Sequence, residues 1–206
     1  VNLSPVVAFA DANKGDGKIV TMIGSSSLNE TDAANYSLSL IGAPTAVANI
    51  TAKPLTLTGT FTADNKVYDR TTQAAISSNS LSLVGIETGD VVSLSAGALF
   101  ADVNKGESKV VNLTGSTLTG ISAGNYTVSF TGAPTANANI TAKGLTVSGA
   151  VAQDKTFDGT TVAVVSGATL LGVISGDVVS LGNSTVGTFA QSALGNDIAV
   201  VTAMTL

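Results

Sequence analysis

Apolar and polar residues alternate along most of this chain. In LTLTGTF (55–61), Leu55, Leu57 and Gly59 fall on one face and threonines on the other. Alternation with a period of two marks a strand with one buried face. SLSLVGI (80–86), KVVNLTGSTLTG (109–120), NYTVSF (125–130) and TANANITA (135–142) read the same way, and DVVSLSAGALFADV (90–103) reads as one long strand or two broken at Gly97. The segments DNKVYDRTT (64–72), ETGD (87–90) and NKGESK (104–109) read as turns between them. About seven short strands with a turn every 8–12 residues or so is the pattern of an antiparallel sandwich. No stretch has a helical period, and no apolar run reaches the length of a membrane span.

The pattern also repeats. GAPTAVANITAK (42–53) returns as GAPTANANITAK (132–143) with one letter changed, and each is preceded by a tyrosine segment, DAANYSLSL from Asp32 and SAGNYTVSF from Ser122. LVGIETGDVVSL (83–94) returns as LLGVISGDVVSL (170–181), FADANKG (9–15) matches FADVNKG (100–106) at all but one position, and Phe189 falls where Phe100 stands. A return after roughly ninety residues signals tandem domains. Residues 1–53 read as the late part of a first repeat, 54–143 as a complete repeat, and 144–206 as the early part of a third. Both ends fall mid-repeat, so the sequence reads as a segment of a longer protein. ITAKPLTL (50–57) and ITAKGLTV (140–147) run from last strand to first without a linker. Pro54 stiffens one joint and Gly144 loosens the other. The expected fold is all-β: tandem immunoglobulin-like antiparallel β-sandwiches in a linear array, a fairly rigid rod gaining roughly 35–45 Å per sandwich.

A tyrosine heads a strand just after a small turn in both NY segments. This resembles the tyrosine corner of immunoglobulin-like domains, where the phenol bonds to backbone a few residues upstream. Tyr36 and Tyr126 are therefore expected to be buried with tethered hydroxyls. Tyr68 and Phe157 share one position in the turn-rich segment and read as structural.

Charge and composition narrow the function. The net charge is −5, with only 9 Lys and Arg, scattered without a basic stripe, so nucleic-acid binding is disfavoured. There is no Cys, hence no disulfide or thiolate metal site. With no His either, a Ser or Thr nucleophile lacks an evident base, and the chain is expected not to be an enzyme. Asp69 and Asp158 follow an aromatic residue in a turn, a usual place for Asp. No Trp and only 3 Tyr argue against an aromatic sugar platform.

No cofactor is expected, with calcium the one alternative weighed. DANKGDG (11–17) brings Asp11, Asn13 and Asp16 together, somewhat like an EF-hand loop, but Met22 stands where that loop has its bidentate Glu. The second copy keeps Asp102, Asn104 and Glu107, and the third has Gln191 in first place. A repeated metal site would survive in every copy, which favours a hairpin turn over calcium at the joints. Asn29, Asn35, Asn49, Asn112, Asn125, Asn139 and Asn183 each begin an Asn-Xaa-Ser/Thr triplet, a glycosylation acceptor in a secreted protein. Lys66 and Lys155 recur beside the aromatic position and are candidates for an isopeptide bond to Asn.

VYDRTT (67–72) and TFDGTT (156–161), followed by SGDVVSL-type and GNYTV-type segments, resemble the YDG/MBG-type repeats of large bacterial surface adhesins of the filamentous-haemagglutinin kind. Position 70 is Arg where the pattern has Gly, and position 157 is Phe where it has Tyr. Arg70 implies a turn that does not require positive φ, or that tolerates a cost of about 1 kcal/mol. The resemblance implies an extracellular stalk on a bacterial surface, with no catalytic residue. Its partners would be neighbouring repeats and other copies of itself, and the distal ligand would bind elsewhere. The alternative is a self-assembling extracellular filament or surface-layer subunit, in which late strands in 1–53 pair with early strands in 144–206 of another copy.

Overall fold

The alternating segments do fold as strands. The computed structural model describes all residues, Val1–Leu206, and is all-β apart from single 3-10 turns at Ala33–Asn35 and Ala123–Asn125. No helix is long and apolar enough to cross a membrane. Two compact units form, one of Val1–Asp64, Gln73–Ala101 and Val110–Asn137, the other of Asn65–Thr72, Asp102–Lys109 and Ala138–Leu206. These units cut across the repeats, and the middle repeat contributes to both.

In the first unit, strand Lys53–Thr58 buries Leu55 and Leu57 and exposes Thr56 and Thr58 between and after them, as its alternation predicts. Ser82–Val84 pairs with one edge of this strand, antiparallel, with Leu83 opposite Leu57. Tyr126–Ser129 pairs with the other edge, and this pairing is parallel, with Val128 opposite Leu55. Ala98–Phe100 lies antiparallel to Gly106–Asn112 and to Gln73–Ala74. Leu55, Leu57, Phe61, Phe100, Val111, Leu113 and Tyr126 form the buried core. The first repeat contributes Val7–Phe9, Gly15–Met22 and Ala46–Ile50 as an antiparallel three-stranded sheet.

In the second unit, Lys66–Val67 runs parallel to Ala136–Thr141, with Ile140 opposite Lys66. Thr146–Ser148 pairs antiparallel with Thr169–Leu171. Val151–Ala152, Val162–Ser166, Val186–Phe189 and Val200–Thr202 form an antiparallel sheet. Ala138, Ile140, Ala163 and Val165 are buried.

Three details differ from the sequence expectation. Two strand pairs are parallel, where a purely antiparallel arrangement was expected. Their members are far apart in sequence, and parallel neighbours need such long crossovers. The segment expected as a turn at 104–109 becomes strand from Gly106 onward. The alternating run 109–120 breaks into Gly106–Asn112 and Thr117–Thr119.

That break faces the one at Gly97. Gly97 lies directly against Gly115, so that a Cβ on Gly97 would meet the Gly115 carbonyl oxygen at 2.3 Å. The neighbouring Ser116 is buried, its hydroxyl accepting from the Gly97 N–H at 3.0 Å and donating to the Gly97 carbonyl at 3.0 Å. Ser26 repeats the device in the first repeat, at 2.9 and 3.0 Å from the N–H and carbonyl of Val6. One hydroxyl thus satisfies two backbone groups where the ladder is interrupted. Ser116→Ala leaves both without that partner and is expected to lower stability by about 1–3 kcal/mol in urea unfolding.

Candidate interaction site at the repeat joints

Polar side chains of successive repeats meet at the joints. In the first unit, the Ala123–Asn125 turn hands the chain to Tyr126 in an extended conformation, φ −128° and ψ 159°. The Tyr126 ring is buried at 6% exposure. Its hydroxyl donates to the Asp90 carboxylate and accepts from the Glu87 N–H at 3.1 Å. The bond to Asp90 pushes the Tyr126 phenol above its ordinary pKa. Lys53 closes the cluster through an ion pair with Glu87, which raises the pKa of the ammonium. Asn125, just before the tyrosine, accepts from the Lys14 N–H at 2.9 Å and donates to the Asn13 side-chain oxygen at 3.0 Å. Asn13 and Lys14 belong to the first repeat, so the Asn-Tyr pair fastens the second repeat to its predecessor and to itself.

Two expectations about the tyrosines are corrected here. Tyr126 does not reach a backbone group a few residues upstream, because its partners lie on the distant Glu87–Asp90 turn. Tyr36 is not buried but 65% exposed. The elements that cover Tyr126, strand Lys53–Thr58 and the Glu87–Asp90 turn, have no counterpart within residues 1–53.

The joint in the second unit uses the turn-rich segment. The Tyr68 hydroxyl donates to Asp177, the counterpart of Asp90, at 3.0 Å. Desolvation first, and this bond second, raise the Tyr68 phenol. Arg70 donates from Nη1 to the Ser175 carbonyl at 2.6 Å, with Nε 3.5 Å from Asp177. Arg70 has φ 66° and its counterpart Gly159 has φ 75°, so the turn does require the left-handed region. Arg70 accepts that cost of about 1 kcal/mol while its guanidinium clasps the next repeat. A Cβ on Gly176 would lie 1.6 Å from Nη1. Phe157, at the position of Tyr68, has no hydroxyl for such a bond and is 61% exposed. A cavity of about 270 Å³ remains at this joint, lined by Tyr68, Asn104, Lys105, Lys143, Leu145 and Asp177 among others.

Within each turn-rich segment a lysine is held in a polar cage. The Lys66 ammonium donates to Asp69 Oδ1 at 2.7 Å and to the carbonyl and hydroxyl of Thr71 at 2.7 and 2.9 Å. Lys155 repeats this with Asp158 and Thr160 at 2.8, 2.8 and 2.9 Å. Both aspartates also accept from the backbone N–H two residues on, the turn role expected of them. The lysine hydrogen bond, then the backbone and hydroxyl bonds, depress both carboxyls to about 2. The folded pKa lies below the ordinary 3.8, so the cage contributes stability above that value and loses it as pH falls toward 2. NMR titration is expected to place the Asp69 midpoint near 2, and Lys66→Met to return it toward the ordinary range. This motif, Lys-x-x-Asp-x-Thr, was legible in both copies, yet the sequence reading took its lysine only as an isopeptide candidate.

Two of the calcium candidates, Asp11 and Asp102, are held by lysine. Lys18 forms an ion pair with Asp11 and donates to the Asn13 carbonyl at 2.7 Å, while Lys109 donates to both Asp102 oxygens at 2.7 Å. These ammonium groups lower both carboxyl pKa values. Asn13 and Asn104 place their N–H groups on the same carboxylates. Asp16 and Glu107 are exposed, and no three acidic groups converge as metal ligands. Of the triplet asparagines, Asn49 accepts from the Gly17 N–H and Asn139 from the Ser108 N–H, both at 2.8 Å. Those residues have φ 59° and 48°, so the recurring asparagine pins a left-handed kink in the strand.

The YDG domain model matches this chain twice, over residues 51–136 and 141–206. No curated protein and no solved structure matches it.

Proposed function

We propose, from the premise that this chain belongs to the YDG domain family, that it is a non-catalytic stalk segment of an extracellular bacterial adhesin or surface fibre. In this reading each repeat is an immunoglobulin-like sandwich, and the array holds a distal binding domain away from the cell. One observation supports it above the others. Successive repeats are fastened by side chains rather than strung on a linker, through Asn13 and Lys14 to Asn125 in one unit and through Tyr68 and Arg70 to Ser175 and Asp177 in the other. Only Thr51 and Ala52 separate strand Ala46–Ile50 from strand Lys53–Thr58. A spacer that transmits position needs such joints, since a flexible linker would let its ends approach at random.

The test is surface labelling of the source cells with antibody raised against this chain, before and after lysis. Labelling of intact cells is expected, together with loss of adhesion when repeats are deleted and its return when unrelated β-repeats of similar number replace them. Signal confined to lysed cells would overturn the reading.

A further inference from the structure

One sheet of the second unit is apolar on both faces. Strands Val151–Ala152, Val162–Ser166, Val186–Phe189 and Val200–Thr202 bury Ala163, Val165 and Gly187 on the inner face. The outer face carries Val151, Val162, Val164, Val186 and Val201, each 53–69% exposed. Register sets them side by side. Val164 lies opposite Val186, Val162 opposite Thr188, and Thr188 opposite Val201, with Val151 opposite Ser166 at the other end.

The middle repeat shows that this face is an outer one in a complete repeat, and that valine is not needed to build it. There the same register sets Ala98 opposite Ala74, and Leu99 opposite Gln73 and Asn112. The five valines thus stand where Thr62, Gln73, Ala75, Gly97 and Asn112 stand. Thr62, Gln73 and Ala75 are exposed, and Leu99, the one large apolar residue of that face, is half-buried. Inner positions keep their character from repeat to repeat, with Ala74 returning as Ala163, Phe100 as Phe189 and Val111 as Val200. The shift to valine is confined to the outside. A strand apolar on both faces, as Val162–Ser166 is, has the pattern of one covered on both sides.

The chemistry of the face selects its cover. None of the four strands contains Asp, Glu, Lys or Arg. An unlike protein is usually held by arginine or aromatic anchors, and a lipid surface by basic and aromatic residues. This face presents neither. A flat field of β-branched side chains is instead complementary to itself. The chain carries a net charge of −5, so copies repel over most approaches, and here they can close without desolvating a charge. The valines present roughly 400–500 Å² of apolar surface, the size at which an exposed patch marks a contact. With Ser166 and Thr188 beside them, the face approaches the roughly 600 Å² per partner of a weak, reversible interface.

We propose that this valine face packs against the same face of a second copy about a two-fold axis, as the two sheets of a sandwich pack. This goes beyond the stalk reading and does not rest on it, because it concerns the chain's own association.

Sedimentation of the full 206-residue chain over a range of concentrations tests it. Reversible dimers are expected to grow in as concentration rises to about 0.5 mM. Val164→Lys and Val164→Glu, each on the inner strand of the sheet, are expected to weaken association by about tenfold or more, because like charges then face each other. Mixing the two variants should restore it. Ala75→Lys, at the matching position of the middle repeat, should leave it unchanged. Circular dichroism checks folding, and the pair Val162→Thr with Val164→Thr keeps the branched shape if a charge disrupts the sheet. A wild type that stays monomeric throughout overturns the proposal. So does association that survives Val164→Lys or the threonine pair, or a mixture no better than its parts. A monomer that binds neutral phosphatidylcholine vesicles through Val164 also overturns it, by assigning the face to lipid. None of these results bears on whether the protein is displayed on cells.

Discussion

Tyr126→Ala is expected to lower the stability of the chain by about 3–5 kcal/mol, the usual range for removing a buried aromatic ring. The ring fills the core under strand Lys53–Thr58, and the strand it heads supplies one of that strand's two neighbours. Tyr126→Phe keeps the ring and removes only the hydroxyl, leaving Asp90 and the Glu87 N–H without their phenol partner. About 1–2 kcal/mol is expected for that loss. Tyr36→Ala is the control, since an exposed side chain away from special contacts changes stability by about 0.5 kcal/mol or less. Urea unfolding of the three variants separates ring, hydroxyl and position. If Tyr126→Ala left the midpoint unmoved, or moved it no more than Tyr36→Ala, the tyrosine would not be the clasp described here.

The two tyrosines also mark the limit of what the sequence could say. Alternation placed Leu55 and Leu57 inside and the threonines outside, because one-sided burial leaves its period directly in the letters. The break at Gly97 was legible for a similar reason, since a glycine within an alternating run marks a bulge or a close backbone approach. Strand partners were not legible. Nothing in NYTVSF announces that it runs parallel to KPLTLT, because that pairing is decided by contacts between residues more than seventy positions apart. Burial of Tyr36 was misjudged by the same route: its turn and backbone are close to those of Tyr126, and the difference lies in strands and turns outside the motif. The cages at Lys66 and Lys155 were missed although both copies spell them out. A lysine three residues before an aspartate usually suggests a weak surface pair, and only the two added bonds from each threonine make it a fixed site. The clasp at Arg70 was not legible, because its partners, Ser175 and Asp177, sit more than a hundred residues away.

Leu55 and Leu145 carry the contrast furthest, because they are the same residue in the same motif of adjacent repeats. Leu55 is 0% exposed, sealed by Val128 across the parallel pair, whereas Leu145 is half-buried at the edge of the cavity. Leu55→Ala opens a hole in a closed core and is expected to cost about 2–5 kcal/mol. Leu145→Ala removes a side chain that still faces solvent and is expected to cost under about 1 kcal/mol in dilute solution. Urea unfolding of the two variants measures the difference. Equal losses for the two leucines would mean that Leu145 is sealed as completely as Leu55, and that the difference in burial between them does not set the cost.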